Sequence, residues 1–314
     1  MTEKGLNVPF VVGAYASQPQ DDDGQRQYYD LLAQSGWVAG LEVPFPGQMR
    51  DSASRDFLGS LMQDRFVHSV VTAIPGTMVN VWDDPTFGLA SPDQTGREKA
   101  MDFVRELNAA VLDMEGKFGH LFDAVALHSA PTNLCEPEFF EESLREIQSW
   151  NWNEAHIVIE HCDEKVLDGD PNGRDHQPEK GFLFLEDEVA IAKKLGLKVS
   201  LNWGRSAVGS RGDVAPNEHI RYVADSGVLA GVLFSGASPE ETIYGPVWID
   251  GHLPLSTDES ASLMTPQQVI EGASLAHGAA YLGAKCCVPK DADLSQRLLM
   301  LHNIYDAAVT GFGR

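Results

Sequence analysis

The chain has 314 residues, 43% hydrophobic and 22% charged, and its 46 Asp and Glu against 23 Lys and Arg leave a net charge of -23. That balance suits a globular protein with a sizeable core, and so acidic a surface repels phosphate backbones and anionic bilayers. Nucleic acid and membrane partners are therefore not expected. The four cysteines (Cys135, Cys162, Cys286 and Cys287) show no CxxC spacing, which fits reduced thiols in a cytosol. The first residues, Met1-Thr-Glu-Lys-Gly-Leu-Asn7, lack the basic-then-apolar pattern of a leader, and no apolar run is long enough to span a bilayer. A soluble, cytoplasmic protein is the expectation.

The first strand is expected over Pro9 to Tyr15, followed by a polar loop (17–24) and a helix from Gln25 to Gln34. Val38 to Val43 reads as strand two, ended by the turn Pro44-Phe-Pro46-Gly47. A helix (51–63) and strand three, Val67 to Ile74, follow, with Pro75-Gly76 as an expected stop and then a long loop holding Trp82 and Phe87. The helix from Asp93 to Phe118 carries Phe103, Leu107, Val111 and Met114 along one face. Strand four spans Phe122 to His128, and Glu138 to Trp150 is helical.

Strand five, Ala155 to Glu160, holds the most informative stretch. Ile157-Val158-Ile159 is a buried-type run that ends in Glu160, a charge that packing alone would not choose. A polar insertion (163–181), a helix (182–195) and strand six, Leu197 to Asn202, come next. Gly204, Gly209 and Gly212 suggest a loop, before a helix over 216–226 and strand seven, Val228 to Phe234. A long loop (236–265) precedes the helix Pro266 to Gly278, strand eight (Ala280 to Val288) and a last helix from Asp291 to Val309.

Eight strands alternating with eight helices, with no linker between halves, predict one α/β domain over 1–314, a single (β/α)8 TIM barrel with long loops after strands 3, 5 and 7. A doubly wound sheet also alternates, but no GxGxxG or GxxxxGK[ST] fingerprint is present. Barrel active sites lie where the strands end. Those ends are Tyr15, Glu42, Thr72 or Ile74, His128, Glu160, Asn202, Ser235, and Lys285 or Cys287. Alternation turns His161 outward toward the helices and Cys162 back inward.

At these positions the chain resembles the xylose isomerase-like barrels, which include sugar isomerases and epimerases, and among uncharacterised groups it is similar to the family DUF4862. The resemblance rests on Gly40-Leu-Glu42, Leu127-His128-Ser-Ala-Pro131, Ile159-Glu160, Asn202-Trp203-Gly-Arg205 and Ile249-Asp250-Gly-His252-Leu-Pro-Leu255. It implies a divalent metal (Mn, Mg or Zn), for which Glu160, His128, Asp250 and His252 are the available donors. The departures are at least as telling. Asn202 and Arg205 stand where the family keeps an Asp and a His, Ser235-Gly236 where it keeps a His, and Lys285 where it keeps a Glu. Arginine carries no lone pair to give a metal, but it suits anionic oxygens. Whether a metal is bound therefore stays open.

The resemblance implies an isomerase or epimerase that removes a proton alpha to a carbonyl on a sugar or sugar acid. Glu160 is the expected base with a raised pKa, and Glu42 or His128 the second acid/base. Asn202, Arg205, Trp203, Arg211 and Lys285 are expected to bind the substrate, and Trp82, Phe87, Trp203 and Trp248 are candidates for stacking on a sugar face. The alternative is an inert barrel that binds a sugar or a protein. A homo-oligomer is compatible with either.

Overall fold

Eight short strands account for the whole sheet of the computed structural model, which describes residues 6–166 and 175–312. They are β1 (Phe10–Val12), β2 (Gly40–Pro44), β3 (Ser69–Thr72), β4 (Phe122–Leu127), β5 (His156–Glu160), β6 (Lys198–Asn202), β7 (Leu229–Phe234) and β8 (Tyr281–Ala284). All pair in parallel and in sequence order, and β8 returns to β1 through Phe10–Leu282, Val11–Gly283 and Val12–Ala284. The strands are buried on both faces, which is why they read as continuous apolar runs rather than alternating ones. The architecture is the expected (β/α)8 barrel.

The described residues hold ten helices rather than eight: α1 (Asp22–Gln34), α2 (Ser52–Met62), α3 (Ile74–Asp83), α4 (Gln94–Phe118), α5 (Pro137–Ile147), α6 (Leu185–Leu195), α7 (Trp203–Ser210), α8 (Ala215–Asp225), α9 (Pro266–Leu275) and α10 (Leu294–Gly311). Both additions lie where the sequence suggests loops, and both sit at the barrel mouth. Pro75, expected as a stop, occupies the first turn of α3, where a proline's missing N–H costs nothing. In α7, Asn202 is the N-cap, its side-chain oxygen accepting from Gly204 N (3.0 Å) and Arg205 N (3.4 Å). An N-capping bond of this kind can offset the cost of glycine in so short a helix.

The core has two parts. The larger fills the space between strands and helices, where α4 buries Leu107, Val111 and Met114 while Phe103 is only partly buried against Phe45 and Phe87. The smaller lies inside the barrel and consists of Val11, Val70, Ala124, Ala126, Val158, Ala230, Leu233 and Tyr281. Its alanines leave the lower barrel thinly filled, and a cavity of about 940 Å³ opens at the N-terminal end beside Ala124, Ala230 and Tyr281. The C-terminal end, by contrast, is packed with charge.

Candidate active site

Glu160 ends β5 and points into the barrel, as the alternation requires, and it is 2% exposed. Its Oε2 accepts from Thr72 Oγ1 at 2.8 Å and lies 2.8 Å from His128 Nε2. Oε1 is 2.6 Å from a terminal nitrogen of Arg205, a contact made by charge without a well-aligned hydrogen bond. The first turn of α7 delivers Arg205 to this point, and the residue is 1% exposed. Its Nε donates to Asp250 Oδ2 at 2.9 Å, so one guanidinium bridges two carboxylates from opposite sides.

Asp250 arrives from the long loop after β7. That loop is fastened to the barrel by reciprocal backbone bonds between Gly236 and Leu253 (2.7 and 3.0 Å). His252, in a left-handed backbone conformation (φ 48°), sets Nδ1 3.0 Å from Asp250 Oδ1. The described part of the insertion after β5 adds Lys180. Asp163 Oδ2 accepts from Lys180 N at 2.7 Å, which folds the insertion's return strand against the end of β5. Lys180 Nζ then reaches Glu179 at 3.1 Å and Asp250 Oδ2 at 3.3 Å. Residues 167–174 of the expected insertion lie outside the described residues.

The opposite wall is built by β2 and by the segment after β8. Lys285 Nζ is 2.9 Å from Glu42 Oε2, and both side chains are essentially inaccessible. Tyr15 OH donates to the same Oε2 at 3.0 Å and remains half-buried, its ring 6.4 Å edge-on from His252. Gly13 makes room for the lysine stem. A Cβ there would fall 2.8–2.9 Å from three Lys285 carbons.

Burial opposes every charge in this cluster, and partners decide the outcome. Burial pushes the Glu160 carboxyl up, but Arg205, His128 and Lys285 outweigh it and hold it below the usual carboxylate range. The raised pKa expected from its position is therefore not met, because Arg205 stands beside it. Asp250 is likewise held well below its ordinary value by His252, Lys180 and Arg205 against burial. Burial lowers His128 and His252, favouring neutral imidazoles, and raises Tyr15, which stays protonated. Lys180 resists burial through Asp250, Glu179 and Asp163, and its ammonium is held above the usual range.

Buried polar atoms normally find hydrogen bonds. Among the described residues nine buried side-chain atoms lack one, and eight belong to this mouth: His128 Nδ1, Glu160 Oε1, Asp163 Oδ1, Asn202 Nδ2, both terminal nitrogens of Arg205, Asp250 Oδ1 and His252 Nδ1. Four of the eight face each other in ion pairs (Glu160 Oε1 with Arg205, Asp250 Oδ1 with His252 Nδ1). The others, His128 Nδ1, Asp163 Oδ1, Asn202 Nδ2 and the second Arg205 nitrogen, are a mixed set of donors and acceptors that a polyhydroxylated ligand would satisfy.

Of the residues expected to form the site, Glu160, His128, Asn202, Arg205, Asp250, His252, Glu42 and Lys285 come together. Trp203 does not. It turns outward into the core between barrel and helices, where its indole N–H donates to Asn217 Oδ1 at 3.1 Å. Arg211 lies over the Trp248 ring (5.3 Å) and donates to the carbonyls of Trp248 (3.3 Å) and Gln177 (3.2 Å), pinning the rim loops together. Phe87 is buried, and Trp82 is 73% exposed. Lys180 and Glu179 were not foreseen. Nothing in a polar insertion marks which of its residues returns to the barrel, although Asp163, its anchor, directly follows the strand-five stretch.

The four potential metal donors do not fit a single ion. They form two pairs, His128 with Glu160 and Asp250 with His252, and the Arg205 guanidinium lies between them. Among the described residues no group of three or more His, Cys, Asp or Glu is arranged to hold a metal.

The model of the family described as "Domain of unknown function (DUF4862)" matches residues 11–300. The chain belongs to this family. An uncharacterized protein of Salmonella typhimurium is 29% identical over 274 residues, covering 84% of each chain. Three solved structures share the barrel. A 3-keto-D-glucoside 4-epimerase from E. coli has a TM-score of 0.59 at 8% identity, covering 96% of this chain and 99% of its own. A xylose isomerase domain-containing protein from Salmonella typhimurium has a TM-score of 0.60 at 11% identity, covering 97% and 100%. A D-psicose 3-epimerase from Clostridium cellulolyticum has a TM-score of 0.50 at 12% identity, covering 97% and 96%. No described helix is long and apolar enough to cross a membrane.

Proposed function

We propose that this member of the DUF4862 family is a sugar isomerase or epimerase that removes a proton alpha to a carbonyl. The observation that carries the reading is the set of buried, unsatisfied donors and acceptors at the barrel mouth, flanked on two walls by carboxylates. That two of the similar solved barrels are sugar epimerases supports it.

Glu160 ends β5 and Glu42 lies at the middle of β2, three strands apart in the ring of eight, so they approach a bound sugar from different sides. Glu160, held ionised, is in its base form throughout the neutral range. It becomes more basic once a substrate oxygen takes up the Arg205 donors in place of its carboxylate. The proton passes from the carbon to Glu160, the C–H electron pair becomes the new C=C, and the carbonyl oxygen gains the charge. Tyr15, protonated and partly open to solvent, is placed to return a proton from the Glu42 side. Lys285 holds the Glu42 carboxylate in place at 2.9 Å. His128 orients the Glu160 carboxylate through its Nε2. The acidic surface points to a small carbohydrate partner rather than a nucleic acid or an anionic bilayer.

Incubating the protein in D2O with a panel of aldoses and ketoses tests the reading. Deuterium should appear on the carbon next to the carbonyl of at least one sugar, and Glu160→Gln should slow the exchange at least about 100-fold. The alternative is an inert barrel, which the near-complete burial of Glu160, Arg205 and Lys285 favours. It would bind a sugar, seen by calorimetry, without any exchange.

A further inference from the structure

We infer that Arg205 is a covalently held cation standing at the point where a divalent metal would otherwise bind, so that the mouth takes no metal and polarises its substrate through N–H donors. The inference concerns the occupant of one position, and three observations converge on it.

The first is the bridge. Two carboxylates and two imidazoles, Glu160, Asp250, His128 and His252, are brought to the mouth from β5, β4 and the loop after β7. This is a donor set adequate for Mn2+ or Zn2+. Between them lies not a gap but the guanidinium, 2.6 Å from Glu160 and 2.9 Å from Asp250. To ligate an ion, both carboxylates would have to leave a buried arginine without its counter-charges.

The second is that all four carboxylate oxygens already face a partner, Glu160 Oε1 lying 2.6 Å from Arg205 and Asp250 Oδ1 3.0 Å from His252 Nδ1. Glu160 Oε2 serves Thr72 and His128, and Asp250 Oδ2 serves Arg205 and faces Lys180 at 3.3 Å. A divalent ion placed among these four donors would sit against two fixed cations.

The third is what the guanidinium has left over. A terminal Arg205 nitrogen is buried and has no partner, and neither has the Asn202 amide nitrogen. Asn202 Oδ1 caps α7 and also accepts from Ser235 Oγ at 2.9 Å, which fixes the amide so that its N–H2 end is the free one. Arg205 and Asn202 share the first turn of α7, so both donors are carried by one rigid element. Donors fixed before the reaction, in a site closed to water, stabilise a developing oxyanion without reorganising. This second part of the inference rests on the isomerase reading, and the occupancy of the metal position does not.

The test begins without substrate. The whole chain, treated with EDTA and dialysed, is titrated with Mn2+, Zn2+ and Mg2+ at neutral pH by calorimetry and thermal shift. The wild type should bind none of them stoichiometrically. Arg205→Ala should gain one Mn2+ or Zn2+ per chain, and Arg205→Ala with Glu160→Gln should lose it again. Stoichiometric wild-type binding that disappears in Glu160→Gln would overturn the inference. So would an Arg205→Ala protein that is folded by circular dichroism yet takes up no metal. If that variant does not fold, the wild-type titration still decides. For the donor pair, Asn202→Ser keeps a helix cap and removes the N–H2. With any sugar that shows exchange, kcat should fall roughly 10²- to 10³-fold with KM little changed, and an unchanged kcat would overturn the assignment. Absence of deuterium exchange with every sugar would count against the isomerase reading and leave the metal result standing.

Discussion

Glu160 and His161 are neighbours in sequence, and each makes a buried ion pair on its own side of the same strand. His161 turns outward to meet Glu188 of α6 at 2.8 Å, and Ser129 Oγ donates to the other Glu188 oxygen at 2.6 Å. No side-chain atom of that outer pair is left without a partner. Glu160 turns inward to Arg205 and joins a cluster in which eight buried atoms lack a well-aligned hydrogen bond. Leaving a buried polar group unbonded costs about 1–3 kcal/mol. A protein that satisfies the outer pair in full and tolerates the inner deficit concentrates the cost where a ligand can remove it. Burial and charge are alike on the two sides, and what differs is how completely the polar atoms are bonded.

The sharpest way to break that contrast is to remove charge from each side in turn. Glu160→Gln should reduce deuterium exchange roughly 10²- to 10⁴-fold, the range for a lost general base, in the NMR assay described above. Glu188→Gln should leave exchange within a few-fold and lower the unfolding free energy instead. Comparable rate losses for both would mean that the two pairs do not differ in kind.

Stability gives the next largest effect. Arg205→Met leaves Glu160 and Asp250 buried against each other and should cost about 3–5 kcal/mol in urea denaturation. Glu188→Ala should cost less, about 1–3 kcal/mol, because a buried imidazole can shed its proton.

The two sides should also respond oppositely to pH. Glu160, Asp250, His128 and His252 all have folded pKa values lowered from the ordinary ones, burial being the largest influence on the histidines. Their contribution is present above the unfolded values and is lost as pH falls, first for the histidines below about 6.5, then for the carboxylates below about 4. Burial lowers His161, but Glu188 more than compensates and its folded pKa is raised; Glu188 itself is raised by burial. That pair contributes most at low pH and fades as pH rises, from about 4.5 for Glu188 and from about 6.5 for His161. Urea midpoints between pH 3 and 9 should lose part of their acid-side slope in Glu160→Gln and part of their alkaline slope in Glu188→Gln. The smallest effect is expected at the rim, where Arg211→Ala should cost about 0.5–1 kcal/mol for its stacking on Trp248, with exchange unchanged.

A second contrast runs along the barrel axis. The N-terminal end has a cavity of about 940 Å³ and the C-terminal end has the buried charge cluster on which the proposed site rests. Space alone points to one end, and the ionisable residues at the strand ends point to the other.

Much of this was legible in the sequence by itself. Continuous apolar strands at regular spacing specified a parallel barrel, and a charge terminating such a strand marked Glu160, because desolvation makes an idle buried carboxylate expensive. His161 facing outward followed from the two-residue period of a strand. Tertiary structure decided the rest. It gave Arg205 to Glu160 and Asp250, each 45 residues away along the chain, through contacts that no local pattern encodes. It returned Lys180 from a polar insertion, made helices of two expected loops at the mouth, and turned Trp203 away from the site because a helix starting at Asn202 points its first side chain outward. Strand periodicity fixes which side of the sheet a residue faces, but a pKa depends on which charges arrive from elsewhere. The sequence could therefore locate Glu160, and only the fold could show that a guanidinium holds it ionised.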